Sequence, residues 1–454
     1  MIAKYVTLTI LALFFVTSSD PFFGFELGGR VSPSKSEDDV VELPFYSPKV
    51  VDPYLNDYDK RVNPVFHVSK FYYPNVRFWF LIYTRLDSTQ VAIHDKNNLS
   101  IIYKVLDFSA LKKKGLNSNT LYVLQQKLSR ERQDDIRSTL ELLTKDPFNM
   151  EPASREIFKA IKNSGTELPS EKASRISFFT KLRDHLRVQT GQRDFIQAGL
   201  IRSLPYQTFL KAYFEKRGLP SELTSIPFLE SSFNPKAHSK VSALGVWQFM
   251  PLISSYYLPR RSTLMDYRSN VGLSSIAAAN LLFENHKIMK KWDLTVTSYN
   301  SGTKHLLNSR RKLASLDVRL EDIIRSSQSE TFGFASKNFF SEFLALAHVL
   351  AYEEELFPGI RQTERPDGEE NLQFSLTKCP MRIDKEVGAI HLDEIAFYND
   401  HIRDFKKIYP RGTIISTKSR LPASKFLKLD DQTIIKKKPK EWSGYLKNQS
   451  CSTR

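Results

Sequence analysis

LPSELTSIPFLESSFNPKAHSKVSALGVWQFMP, residues 219–251, is the stretch on which the reading of this chain turns. Gly218-Leu219-Pro220 breaks the pattern before it, and Pro220 suits the opening turn of a new helix. On a helix running through from Pro220, Leu223 and Ile226 share a face with Glu230, and that face is the buried one. Pro227 kinks such a helix without removing the apolar neighbours. A carboxylate on an apolar stripe is partly desolvated, and its pKa rises. A general acid working near neutral pH needs that property. The helix alone also admits a plainer reading, in which Glu230 turns to solvent or pairs with a lysine.

Around this segment lie 454 residues, 41% hydrophobic and 26% charged, enough for two or three folded units with sizeable cores. With 17 Gly, 22 Pro and 12% aromatic residues, wholesale disorder and collagen-like repeats are excluded. Two cysteines, Cys379 and Cys451, exclude a disulfide scaffold and a Cys-rich zinc site. The net charge of +16 suits nucleic acid, an anionic membrane or an acidic polymer. Residues 1–19 read as a secretory leader: Lys4, then the apolar run Tyr5 to Val16, then Thr17-Ser18-Ser19. The run is short for a bilayer span. Cleavage is expected near Ser19 or further on, near Gly24, and a short membrane anchor is the other reading. With no cysteine near the cut, no lipoprotein anchor is expected. An exported basic chain meets little nucleic acid, which leaves an acidic polymer or a membrane surface as partner and the periplasm, the wider cell envelope or the exterior as its place.

Residues 20–66 form an extended lead-in rich in Pro, Ser, Asp and Val. The segment 67–118 reads as small and β-rich, with strands expected over Val76–Arg85, Gln90–His94 and Ser100–Asp107. Helical spacing takes over in 119–193, first in Leu121 to Leu143 and again in Ser174–Thr190. Residues 220–357 are nearly all helix and loop, ending at Phe357-Pro358-Gly359. A small mixed module follows over 370–425, and 426–454 is a basic tail carrying Lys436-Lys437-Lys438. No internal repeat is evident.

After Glu230-Ser231 come Ala237-x-Ser239 and Gly245-x-x-Gln248-x-Met250-Pro251, with Trp247 before the glutamine. Further on are Asp266-x-Arg268, Ser274, the small run Ala277-Ala278-Ala279, and Trp292-x-Leu294 leading into Ser298-Tyr299-Asn300-Ser301-Gly302. Ser336-Lys337-Asn338-Phe339 then runs into Leu344-Ala345. These blocks resemble the catalytic domain of lytic transglycosylases, the enzymes that cut bacterial peptidoglycan, and the wording IPFLESSFNP is similar to their membrane-bound transglycosylase D branch. The resemblance covers about residues 194–350. It departs after Gly302, where the family often has a second glycine and this chain has Thr303-Lys304-His305.

The resemblance implies a mainly α protein. Residues 194–358 would be a lysozyme-like helical catalytic domain, preceded by a small β-rich segment plus helices and followed by a small mixed α/β module. It further implies cleavage of the β-1,4 bond between N-acetylmuramic acid and N-acetylglucosamine without water, with Glu230 as acid and then base. Tyr299 would hydrogen-bond and orient Glu230. Ser239 would orient Glu230 or the sugar's N-acetyl group, while Gln248, Met250 and Asn300 line the sugar subsites. Gly245 would let the backbone approach the saccharide, and Trp247 would pack in the core. No cofactor and no metal are implied, because no metal-ligand spacing accompanies His238 or His305. The partner is the peptidoglycan glycan strand, with a further contact to anionic membrane or envelope polymer through the basic surface.

The module at 370–425 weakly resembles a degenerate lysin motif, and a structural extension with no ligand is the other reading. Cys379 and Cys451 are a disulfide or two free thiols. Two other functions stay open for the whole chain: a lysozyme-like hydrolase, and a peptidoglycan-binding scaffold without catalysis.

Overall fold

The computed structural model of the chain describes residues 40–43, 50–313, 317–327, 332–360, 372–447 and 451. The leader expected over 1–19 lies outside the described residues, as do 20–39 and 44–49 of the lead-in. The chain is mainly helical with small antiparallel sheets, and it divides into two compact units. Among the described residues no helix is long and apolar enough to cross a membrane.

The first unit runs up to Ile196 and takes in Leu344–Tyr352. Its elements are β1 (Val41–Leu43), α1 (Asp52–Leu55), α2 (Tyr73–Thr84), β2 (Gln90–Asp95), β3 (Ile102–Asp107), α3 (Ser109–Lys113), α4 (Ser118–Lys145), α5 (Pro152–Asn163), α6 (Lys172–Asp184) and β4 (Leu186–Thr190). The four strands make one antiparallel sheet in the order β1-β3-β2-β4, with Val91 opposite both Leu106 and Thr190. Val91, Ile93 and Leu106 share a buried cluster with Leu128 and Leu140 of α4, Ile161 of α5 and Phe179 of α6.

Two elements here differ from the sequence expectation. Val76–Arg85 forms helix rather than strand: Pro74 sits in the opening turn of α2, and every residue from Phe78 to Thr84 is buried. A helix covered on all sides has no polar face, so its apolar run cannot be told from a buried strand by spacing. The helix expected over Ser174–Thr190 stops at Asp184, because the Leu186–Thr190 backbone completes the sheet along the free edge of β2.

The second unit comprises Gln197–Phe343 and the residues from Glu353 onward. After α7 (Arg193–Ser203) and α8 (Gln207–Lys216), a 3-10 turn over Ser221–Ser225 leads into α9 (Ile226–Ser231). Then come α10 (Pro251–Ser254), α11 (Val271–Met289), α12 (Trp292–Ser301), α13 (Thr303–Lys312), α14 (Leu320–Ser326), α15 (Phe334–Ala351) and α16 (Glu353–Leu356). Helix α11 is the axis of this core. Ser274 through Ala279 are all fully buried, and the small side chains let neighbouring backbones close in on it.

The C-terminal module consists of β5 (Gln373–Thr377), β6 (Met381–Arg382), α17 (Ile383–Glu386), α18 (Gly388–Tyr398), β7 (Ile408–Tyr409) and β8 (Ile414–Thr417). β5 and β8 pair antiparallel, and β9 (Phe426–Lys428) adds to the other edge of β5. The module seats directly on α11. A side chain at Gly272 would lie 2.6 Å from Leu372 and 2.9 Å from Phe374. Asn270, which caps α11, donates to the Tyr398 carbonyl and to Ser416.

The segment expected as a basic tail is instead folded in part. Beyond β9, α19 (Asp431–Lys436) and a 3-10 helix over Pro439–Leu446 pack back, with Trp442 fully buried against Phe374 and the Tyr213 hydroxyl bonded to the Ile434 carbonyl. Apolar anchors at Ile434 and Trp442, spaced among lysines, hold it in place. A disulfide joins Cys379 to Cys451.

Candidate active site

Glu230 lies in the last turn of α9, a helix of six residues opened by Pro227. The helix from Pro220 does not run through; the 3-10 turn before α9 changes the rotation per residue. Leu223 and Ile226 are nonetheless fully buried, and Glu230 is half-buried beyond them. The exit from α9 is unusual. Ser232 (φ 49°) and Phe233 (φ 57°) both sit in the left-handed region, which costs a non-glycine residue roughly 1–2 kcal/mol each. Ser231 donates to the Val246 carbonyl at 3.0 Å and so ties the end of α9 to the loop that follows.

That loop, from Asn234 to Met250, carries four of the residues singled out from sequence. It is closed by short backbone ladders: His238 pairs with Leu244, and Leu244 with Phe249. The Ser239 hydroxyl accepts from the Ala243 amide at 2.9 Å, which leaves its own proton free to donate. Gln248, itself left-handed (φ 47°), donates its side-chain amide to the carbonyls of Ala237 (3.0 Å) and Gly245 (2.9 Å). It therefore clamps the loop and keeps its amide oxygen as an acceptor. Met250 is half-buried at the mouth of α10.

Gly245 has a different reason for being glycine than an approaching saccharide. Its φ is 83°, and a Cβ there would lie 1.9 Å from the carbonyl oxygen of Arg268. The space is filled by the protein's own backbone. Arg268, buried, pairs with Asp266 (Nη2 to Oδ2 2.7 Å) and donates through Nη1 to the carbonyls of Ser242 and Phe249. The Asp266–Arg268 pair thus latches both ends of the loop carrying Gly245 and Gln248.

Tyr299 and Asn300 come from α12. The Tyr299 hydroxyl donates to the Trp247 carbonyl at 2.7 Å, not to Glu230 as the sequence suggested. Its single proton is committed to the loop, so toward Glu230 it offers only an oxygen lone pair. Burial, and after it the Glu230 carboxyl, hold the Tyr299 phenol well above its ordinary range. Asn300 is buried and accepts from the Ser336 hydroxyl of α15 at 3.0 Å. Trp247 is a core residue, fully buried, stacked on Phe214 and donating to Ser275.

Sequence reasoning missed Glu342. It lies on α15, only 5% exposed, in a run of buried apolar residues from Phe339 to Ala347. Burial, and after it the Glu342 carboxylate, push the Glu230 carboxyl up to about 8. Both causes act in one direction, since desolvation and a like charge each disfavour ionisation. Glu230 therefore holds its proton at neutral pH. A charged residue in the middle of an apolar helix was the available signal for Glu342. Among the described residues no group of three His, Cys, Asp or Glu is placed to hold a metal ion. His238 is exposed, and His305 stacks on Phe332.

Residues 207–319, which span α8 to α13 and include Glu230, the latched loop, Tyr299 and Asn300, match the family model described as Transglycosylase SLT domain. That match covers about a quarter of the chain. Over 130 residues the chain is 29% identical to membrane-bound lytic murein transglycosylase D of Escherichia coli (strain K12), covering 28% of this chain and 29% of that protein. The same-named protein of Escherichia coli O6:H1 matches over the same length with the same identity. The chain thus spans less than a third of the length of these relatives. A crystal structure of an inactive mutant of lytic transglycosylase Slt from Pseudomonas aeruginosa aligns with a TM-score of 0.27 at 15% identity, over 69% of this chain and 58% of that one.

Proposed function

We propose that this protein is an exported lytic transglycosylase of peptidoglycan. The observation that carries the reading is Glu230: a half-buried carboxyl that keeps its proton at neutral pH through burial and Glu342. Glu230 protonates the glycosidic oxygen between N-acetylmuramic acid and N-acetylglucosamine, and the bond to the anomeric carbon breaks. The substrate's N-acetyl group stabilises the positive charge that develops there. Glu230, now ionised, takes the proton of the muramyl C6 hydroxyl, and that oxygen closes onto the anomeric carbon to give a 1,6-anhydro ring. No water enters, and Glu230 ends protonated, ready for the next turn. Ser239 through its free hydroxyl proton, the amide oxygen of Gln248, the apolar Met250 and the amide of Asn300 hold the sugars. The net charge of +16 suits a polymer whose peptide stems carry carboxylates, and equally an anionic membrane or envelope polymer. The leader at residues 1–19 would deliver the chain to the periplasm or cell envelope, and the module at 370–425 would add a glycan contact of lysin-motif type.

Glu342 favours a second reading. Most glycosidases pair an acid with a second carboxylate, and a hydrolase would use one to activate water. Its burial argues against that, because a base for water must be reachable by water. Mass spectrometry of muropeptides released from purified sacculi separates the cases. Products lighter by one water than lysozyme products are expected. Reducing ends would establish a hydrolase, and bound but uncut sacculi a scaffold.

A pH dependence follows from the same pair. Activity requires protonated Glu230, so the rate should fall as pH rises through about 8. Glu342→Gln removes the like charge, which favours ionisation of Glu230 and moves that basic limb to lower pH. The variant should therefore be slower at neutral pH while regaining activity toward pH 5–6. A limb that does not move would mean that Glu342 plays no part in holding the proton.

A further inference from the structure

Glu230 sits two residues before a backbone that resists its own conformation. Ser232 and Phe233 are consecutive left-handed residues, and neither is glycine. Such a turn persists only where its surroundings force it, and turns of this kind cluster at functional sites. Three contacts do the forcing. The Phe233 ring is buried against Phe228 and Tyr206. Gly199 of α7 lies so close that a Cβ there would come within 2.6 Å of the Ser232 carbonyl oxygen. The third is Arg202, one turn further along α7. Its Nη2 donates to the Ser232 carbonyl at 2.5 Å and its Nε to the Phe233 carbonyl at 3.2 Å.

We infer that Arg202 is a positioning residue for Glu230: its guanidinium fork holds the left-handed Ser232–Phe233 turn, and the turn fixes where the last residues of α9 point. Several observations separate this from an ordinary surface arginine. Arg202 is half-buried, and among the described residues it forms no ion pair with a carboxylate. Its hydrogen bonds go to two successive carbonyls at the end of one short helix, where a planar two-donor group fits and a point charge does not. The charge also complements the negative end of α9. α9 has only six residues, so it has little length over which to average out a displaced end. Arg202 is not among the groups that shift Glu230, which marks its action as geometric. When the fork is lost, the strained turn relaxes, α9 rotates at its end, and the Glu230 carboxyl swings from cover toward water.

This inference rests on the lytic transglycosylase reading, and the experiment keeps the two apart. Muropeptide release by the unaltered protein tests the reading; a Glu-selective carbon-13 NMR titration of the Glu230 carboxyl tests the brace whether or not the protein turns over. Arg202→Met should lower kcat by at least tenfold with little change in KM, and the Glu230 titration should move from about 8 toward the ordinary carboxylate range. Arg202→Lys, with the charge but not the fork, should recover only part. Ser232→Gly placed in the Arg202→Met background should restore most of kcat and of the raised titration, because glycine adopts a left-handed φ without strain. A lower melting temperature in Arg202→Met with titration and kcat unchanged would overturn the inference. So would a double variant no better than Arg202→Met alone.

Discussion

Glu230→Gln is expected to lower muropeptide release by about 10²–10⁴-fold, the range over which a positioned general acid contributes, while leaving the protein folded. Gln keeps the shape and loses only the transferable proton, so sacculus binding should persist. The same substitution has a thermodynamic signature. The Glu230 carboxyl rises from its ordinary 4.5 to about 8 in the folded chain, so over that interval the folded state binds more protons than the unfolded one. Stability of the unaltered protein therefore falls as pH rises from about 4.5 to 8, and levels off above. Gln cannot ionise, so the variant should melt higher than its parent at pH 8–9 and close to it at pH 5. Thermal melts at these values, alongside product release at pH 6, check both halves. Retained cleavage would move the acid to another residue, and equal pH dependence of melting would mean that Glu230 is solvated.

Gly245→Ala should be the most damaging single methyl in the second unit. Alanine at φ 83° carries the left-handed penalty, and its Cβ would overlap the Arg268 carbonyl, 1.9 Å away. Together these should cost about 2–5 kcal/mol, from roughly 1–2 for the backbone and 1–3 for the overlap. Relief requires moving either the loop or the residues around Arg268, and Arg268 bonds both ends of that loop. Activity should therefore fall along with stability, since Ser239 and Gln248 ride on the displaced segment. Urea unfolding measures the first effect and muropeptide release the second. An alanine variant with parental stability would mean that the loop has slack that the Asp266–Arg268 latch does not allow.

The legible part of this site was its list of positions; the less legible part was what each position does. Glu230 stood out through the motif blocks that follow it, since helical spacing after Leu223 and Ile226 left a solvent-facing reading open, and the same blocks marked the loop and Tyr299-Asn300. Gly245 reads from sequence as room for an approaching saccharide, whereas the atom that would meet a Cβ there is the Arg268 carbonyl, which no local pattern could bring there. The resemblance gives the Tyr299 hydroxyl to Glu230, but it donates to the Trp247 carbonyl. Glu342 and Arg202 act through tertiary neighbours only, although an acid in the apolar run Phe339–Ala347 deserved suspicion. In the first unit, α2 was misread for a general reason: a helix buried all round shows no period. The folded tail was hidden by its lysines, which dominate composition while Ile434 and Trp442 do the packing.

The seat of the C-terminal module on α11 also sets a timetable. Gly272 is covered by Leu372 and Phe374, and Phe374 is in turn covered by Trp442, about 170 residues further along the chain than Gly272. A chain synthesised from its N-terminus at about 5–20 residues per second waits roughly ten to thirty seconds between the appearance of α11 and the arrival of its last cover. During that interval the helix that carries the core stands with an apolar flank open. Factors that shield emerging chains have their opportunity then.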